Sequence, residues 1–364
     1  MRAVSCYVHV PFCRHICYYC GFCRQKYNET LEEAWLNQIQ KEIDDKHLTQ
    51  LETLYFGGGT PNVLSASGLK RLCEMFRPYL DSVYEWTIEC NPELVTYDQV
   101  KMFKQMGINR ISLGVQTLNN SLLKSIGRHH TSDDVFKAIE LCFEQDIRNV
   151  SVDLMFALPN QTIDDIKKDL QQIVQLNVPH LSIYSLQIEE NSIFQKQNIQ
   201  PIDEDLEADM YEMIVQFCKQ NGFTHYEISS FAKNKFFSKH NMKYWSDQDF
   251  IGIGCGACGK EKGTLYENTK NLNVYLQKGP CPTLIQEDIK EQSFDSIMMS
   301  LRTIFGLDIQ QWENKYQMNF RKQYQKVLQQ YIPDHLQIIN GHLIPTEKGF
   351  EILNTILVDF LEIH

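Results

Sequence analysis

No run of about eighteen uninterrupted apolar residues occurs in the 364-residue chain, which argues against a membrane span. The most apolar stretch of the tail, ILNTILVDFLEI, is broken by Asn354 and Asp359. The N-terminus has no apolar core of the kind a secretory leader needs. It runs from Val4 into SCYVHVPF, the pattern of a strand, and so speaks against export. Basic charge is scarce as well: 35 Lys and Arg against 46 Asp and Glu leave a net charge of −11, a poor complement for nucleic acid. Low-complexity tracts are missing. What remains, 43% hydrophobic and 22% charged residues, is the composition of a folded protein with room for one large α/β domain or two ordinary ones.

Cysteine, by contrast, is abundant. With no export signal, the twelve thiols are expected in a reducing cytoplasm. Cys6, Cys73, Cys90, Cys142, Cys218, Cys255 and Cys281 are scattered or lie in apolar contexts, where a cysteine is a small buried hydrophobe. The stretch CRHICYYCGFC, from Cys13 to Cys23, is different: four thiols in eleven residues need a ligand or a redox role. A structural zinc site takes two separated CxxC knuckles, or one with distant histidines. Here Cys17–Cys20 and Cys20–Cys23 share a cysteine, and the later CGAC of Cys255–Cys258 lies in a Gly-rich stretch more than 200 residues away. Zinc and a redox CxxC therefore compete less well. Cys13, Cys17 and Cys20 read CxxxCxxC, and three thiolates from one loop can hold three irons of a [4Fe-4S] cluster, leaving the fourth iron open.

The first two-thirds alternates strand and helix patterns. Strands are expected at Val4–Val10, Leu54–Gly57, Trp86–Cys90, Arg110–Val115, Val150–Met155 and Leu181–Leu186. Helices are expected at Leu31–Lys46, Gly68–Tyr79, Tyr97–Met106, Asp133–Gln145, Ile163–Gln175 and Asp203–Gln220. Six strand–helix units at a period of about 30 residues predict an α/β fold with a parallel sheet, a complete or partial βα barrel, whose chemistry sits at the carboxyl ends of its strands. At those ends stand the cysteines, the GGGTP of Gly57–Pro61, Glu89 and Gln116. The expected division is a barrel over 1–228, a Gly-rich and aromatic connecting segment over 229–287, and a small helical unit over 288–364 with a hairpin at Asn340–Gly341. Two hairpin strands and three helices would make the last a winged-helix-like α+β domain for packing or partner contact.

Three successive glycines at the end of the second strand let a bound molecule approach the backbone closely, though a plain tight turn also uses them. Glu89 either caps a loop or touches a ligand. Buried Arg128 and Asp153 would cost several kcal/mol unless paired or met by a ligand. His240, in HNMKYW, is either a satisfied structural histidine or an iron ligand, with Tyr244 and Trp245 suited to stacking on a flat ring. His9 is expected to point into the barrel in a structural role, and His129 and His130 to be loop histidines.

CxxxCxxC with Tyr19 before its third cysteine resembles the signature of the radical S-adenosylmethionine superfamily. YVHVPFC through Cys20, GGGTP, ECNP, SLGVQ, GRHH and DLMFALP follow in the order of its HemN/HemW branch, over almost the whole chain. The resemblance implies a partial (β/α)6 radical SAM barrel with a C-terminal HemN-like domain. It implies that Cys13, Cys17 and Cys20 hold the cluster, while the amino and carboxylate groups of S-adenosyl-L-methionine chelate the open iron. Tyr7, Tyr19, Gly58, Gly59, Thr60, Glu89, Gln116, Arg128 and Asp153 would surround that cofactor, with threonine standing where other branches of the superfamily carry glutamate.

Three features favour the HemW side of the branch. The chain begins almost at its first strand, whereas the oxidases carry an N-terminal extension. Phe22 stands where the oxidases have a fourth cysteine. HNMKYW followed by DFIGIGCGACGK is similar to the HemW pattern, with Cys258 where relatives often have histidine. The expectation is a cytoplasmic heme chaperone that binds heme, with His240 or Cys258 as candidate ligands, and passes it to a heme-acceptor protein. Membrane contact would come only through that acceptor, and a flavodoxin- or ferredoxin-type electron donor would serve the cluster. The alternatives are an oxygen-independent coproporphyrinogen III oxidase, or another radical SAM enzyme such as a methyltransferase. Cys23 is left without iron.

Overall fold

The computed structural model describes residues 4–363. Six parallel strands form its centre: β1 (Ser5–Val10), β2 (Leu51–Gly58), β3 (Leu80–Cys90), β4 (Arg110–Gln116), β5 (Asn149–Phe156) and β6 (His180–Ser185). Each is followed by a crossover helix: α1 (Glu29–Lys46), α2 (Ala66–Phe76), α3 (Tyr97–Met106), α4 (Ser132–Glu144), α5 (Ile163–Gln175) and α6 (Glu204–Gln220). The helices start where the sequence supplies a capping side chain. Asn28, Ser65, Thr96, Thr131, Thr162 and Asp203 each accept a hydrogen bond from a first-turn amide. At α4 and α5 an aspartate three residues on completes a capping box. The strands are buried on both faces, as crossover helices require, so they read as near-continuous apolar runs.

The register keeps the carboxyl ends level: Val10 lies opposite Gly58, Cys90 opposite Leu113, Gly114 opposite Asp153, and Phe156 opposite Ser185. This is the partial barrel, (β/α)6 in its core. Residues 229–287 are not merely a connector, because they extend the sheet at both edges. After β7 (Thr224–Glu227), the short strand β8 (Ser230–Ala232) pairs antiparallel with β6. Helix α7 (Lys239–Trp245) leads to β9 (Ile251–Ile253), which pairs parallel with β1, Cys6 opposite Ile251 and Val8 opposite Ile253. Glu42 of α1 anchors the chain beyond β9. Its buried carboxylate accepts from Gly254 N at 3.0 Å, Asn268 Nδ2 at 2.8 Å and Tyr275 OH at 2.6 Å. Those donors compensate a burial that otherwise pushes the carboxyl upward.

Residues 288–363 pack around a second core that includes Trp312, Phe320, Tyr324 and Phe360. Their hairpin, Leu336–Ile339 with His342–Pro345, closes through Asn340 (φ 51°) and Gly341 (φ 84°), the left-handed pair a two-residue turn needs. A third short strand, Leu307–Asp308, joins it. The unit meets the barrel backbone to backbone, Ile228 N donating to Arg302 O and Ile304 N to Tyr226 O. No described helix is long and apolar enough to cross a membrane.

Candidate functional site

The level strand ends enclose a cavity of about 560 Å3, a size typical of ligand sites. Its wall on the β1 side is the cysteine loop. A two-residue parallel ladder, Phe12–Cys13 with Gln25–Lys26, pinches the base of that loop. Tyr18 N donates to Ile126 O, and Phe194 N to Tyr18 O, pinning its far side. So held, Cys13, Cys17 and Cys20 all face the cavity. Cys13 is buried, and burial pushes its thiol up to about 11 against a lowering hydrogen bond from Thr60. Arg128 Nη1 donates to Cys17 Sγ at 3.5 Å, and Nη2 donates to Gly114 O. Among the described residues no three His, Cys, Asp or Glu side chains converge on one ion position.

The glycine run beneath the cysteines is required sterically. A Cβ on Gly59 would stand 2.6 Å from Phe12 O, 2.8 Å from Val10 O and 3.0 Å from Cys13 Sγ. Gly58 has φ 106°, and a Cβ there would meet the His9 ring at 2.5 Å. Gly59 N and Thr60 N donate to Val10 O and Phe12 O, so the glycine turn and the cysteine loop move as one piece.

Opposite stand the charged groups. Glu89 accepts from Tyr55 OH at 2.8 Å and from Gly58 N at 3.1 Å. Enclosure by protein pushes its carboxyl up to about 7, the Tyr55 hydrogen bond opposing and the Asp153 charge adding to the rise. Asp153 is satisfied by hydroxyls, accepting from Ser112 Oγ at 2.9 Å and Ser151 Oγ at 3.1 Å; it does not pair with Arg128. Gln116 lines the cavity at φ 67°, next to a register irregularity that ends β4. A non-glycine residue in that region costs about 1 kcal/mol or more and clusters at functional sites.

Of the residues the sequence singled out, Cys13, Cys17, Cys20, Tyr19, Gly58, Gly59, Thr60, Glu89, Gln116, Arg128 and Asp153 line this one cavity. Tyr7 and His240 do not. Tyr7 OH lies 3.0 Å from His9 Nδ1, and its ring is 6.0 Å from that of Tyr55, which does line the cavity. His240 is buried behind the same Tyr55 ring. Its Nδ1 lies 2.8 Å from Thr53 Oγ1 and its Nε2 2.7 Å from Tyr244 OH, so both ring nitrogens are committed. Burial pushes its pKa down to about 3. Iron binding through either nitrogen would require one of these two hydrogen bonds to break. Cys258 is exposed and lies outside the cavity, its thiol 3.8 Å from Glu267 Oε1.

Sequence reasoning missed Tyr55, Arg110 and Asn241, which also line the cavity. Tyr55 could have been found from strand periodicity, two residues before Gly57 on β2. Arg110 opens β4 and is 2% exposed, its Nη2 lying 3.3 Å from His180 Nδ1. Nothing in the local pattern separates it from a surface arginine.

These residues fit a cluster and a zwitterionic, ribose-bearing cofactor. Three thiols share one wall, the glycine cradle has no room for a Cβ, and the buried Nε atoms of Arg110 and Arg128 have no protein partner.

Residues 7–173 match the radical SAM superfamily, and residues 288–352 match the HemN C-terminal domain. Among curated relatives, a heme chaperone HemW of Lactococcus lactis is 37% identical over 98% of this chain and 97% of its own length. HemW of Bacillus subtilis is 35% identical over 86% of each chain, and that of Escherichia coli 34% over 73% of each. In three dimensions the chain is similar to coproporphyrinogen III oxidase (HemN) from Escherichia coli, with a TM-score of 0.85 and 22% identity over 99% of this chain and 90% of that one. The last likeness concerns the fold. The near-full-length identity carries further, and the chain belongs to the HemW family of radical SAM proteins.

Proposed function

We propose that this protein is a heme chaperone that holds a [4Fe-4S] cluster and S-adenosyl-L-methionine in the barrel cavity and transfers heme to an acceptor protein. The observation that carries the reading is the 37% identity running through 97% of a heme chaperone from Lactococcus lactis. Phe22, at the position where the porphyrinogen oxidases keep a fourth cysteine, agrees with it.

Cys13, Cys17 and Cys20 would hold the cluster, and when bound it supplies one-electron reduction of the sulfonium cofactor. The chain's own residues do the positioning. Gly58 and Gly59 allow the cofactor to lie against the backbone. Glu89, poised near neutrality, ionises toward its ammonium group or ribose. Arg128, fixed by Gly114 O and Cys17 Sγ, directs a charge beside the cluster wall. Gln116 and Asp153 complete the polar rim. We place the protein in a reducing cytoplasm, where its free thiols persist, with a flavodoxin- or ferredoxin-type donor for the cluster.

Transfer is the test. Cluster-loaded protein charged with heme is mixed anaerobically with a heme-free acceptor such as an apo-cytochrome, and the Soret band is followed. Movement of heme to the acceptor faster than from free heme with albumin supports the reading. Heme that stays bound, or never binds, rejects it.

A further inference from the structure

Cys23 belongs to the cysteine loop yet has no place among the three thiols that line the cavity. Its surroundings are built all the same. Cys23 Sγ lies 3.6 Å from Cys255 Sγ, a residue 232 positions away. The two sulfurs sit beside successive carbonyls of one strand of chain, Cys23 Sγ 3.2 Å from Lys270 O and Cys255 Sγ 3.1 Å from Thr269 O. The Cys23 carbonyl oxygen is 2.7 Å from His9 Nε2. Gly256 has φ 75°, and a Cβ there would stand 2.6 Å from Cys23 Cβ, so glycine is what lets the two loops meet. Cys255 is 0% exposed while Cys23 is partly open. The Cys255 thiol, with Lys270 and Arg24 beyond it, holds the Cys23 thiol below its ordinary range, while Cys23 and burial push Cys255 up.

This geometry addresses a hazard in the sequence. Cys20 and Cys23 form a CxxC pair, the spacing at which adjacent thiols readily close a disulfide and remove a ligand thiol. Folding instead seats Cys23 against Cys255.

We propose that Cys23 and Cys255 are a reversible dithiol–disulfide site, oxidised by small-molecule disulfides, that fastens the end of the cluster loop to the chain beyond β9 and leaves Cys20 free for iron. The role for Cys20 rests on the cluster assignment under Proposed function; the pair itself does not. Cys23 thiolate attacks one sulfur of the small disulfide and expels the first thiolate. Cys255 then loses its proton and attacks the Cys23 sulfur of the mixed disulfide, expelling the second. Two protein thiols are oxidised, and one small disulfide is reduced to two thiols. The sulfurs close from 3.6 Å to a bond of about 2.05 Å, a movement of about 1.5 Å.

The test equilibrates the full-length protein, with and without its cluster, in glutathione–glutathione disulfide buffers. The samples are then acid-quenched, alkylated and mapped by mass spectrometry. The expected product in both forms is a Cys23–Cys255 linked peptide, and oxidised cluster-free protein reloads iron within about twofold of the reduced sample. In Cys255→Ser a Cys20–Cys23 disulfide replaces it, and reloading falls by about fivefold or more until dithiothreitol is added. Cys23→Ser, which can form neither bond, loads iron in both buffers. Absence of the Cys23–Cys255 peptide in wild-type protein, which needs no variant to fold, overturns the proposal, as does a Cys255→Ser variant that maps and reloads like wild type. Loss of iron in reduced Cys23→Ser would instead overturn the three-thiol cluster assignment.

Discussion

Glu89→Gln should make the cluster-free protein more stable at pH 8 while weakening its hold on S-adenosylmethionine. The carboxyl is pushed from 4.5 up to about 7 by its enclosure, so the empty site holds a charge it would rather neutralise. Because the folded-state pKa lies above the unfolded value, the stability contributed by the protonated form is fully present below about pH 4.5 and is lost as pH rises through 7. At about 1.4 kcal/mol per unit, the charged form costs at most about 3.5 kcal/mol above pH 7, and on the order of 1–2 kcal/mol after screening by cavity water. Glutamine removes that cost and keeps an acceptor for Tyr55 OH or Gly58 N, the two donors now at 2.8 and 3.1 Å. Urea midpoints of both proteins from pH 5 to 8.5 are the assay. The variant should gain on wild type with increasing pH, by about 1–2 kcal/mol on a plateau above pH 7. At the same pH it should bind S-adenosylmethionine at least about tenfold more weakly, the worth of one charge-assisted contact. A stability difference that is flat with pH, or a variant less stable at pH 8, would refute the assignment of Glu89 as an ionisable group held ready for a cation.

Other outcomes follow from the same geometry. Cys17→Ser should abolish cluster iron on anaerobic loading, whereas Cys23→Ser should leave it unchanged, as read by iron per chain. Gly59→Ala puts a methyl 2.6 Å from a backbone oxygen of the cysteine loop. It should cost about 1–3 kcal/mol of stability by overpacking and reduce iron loading, seen in unfolding curves and iron assays. His240→Ala removes the partner of both Thr53 and Tyr244 and should cost about 1–3 kcal/mol, while the Soret maximum of bound heme keeps its position. A shifted Soret band would restore His240 as an iron ligand.

The barrel was legible because several signals agreed in each unit: an apolar run, a capping side chain and a helical stripe. The strand ends were readable for the same reason, so Cys13, Gly58, Glu89, Gln116 and Asp153 could be gathered into one site from the sequence. The extra strands β8 and β9 were not readable. Each is three residues long, and β9 contains Gly252; their pairing depends on neighbours far away in sequence. Arg110 and Tyr55 were hidden because strand position alone does not say which polar side chain faces a cavity. His240 is a different case: its motif suggests a ligand, and the hydrogen bonds of its two nitrogens to Thr53 and Tyr244 arise from tertiary packing that the motif does not show. The approach of Cys23 to Cys255 depends on Gly256 and on the Glu42 anchor, contacts that no local pattern announces.

The most direct test of the central reading sets the two chemistries of this fold against each other. Anaerobically reconstituted protein, with S-adenosylmethionine and a reductant, is offered heme in one cuvette and coproporphyrinogen III in another. Heme binding in a fixed ratio to chain, with no decarboxylation of the porphyrinogen, is the predicted result. Turnover of coproporphyrinogen III with no heme bound would contradict the account.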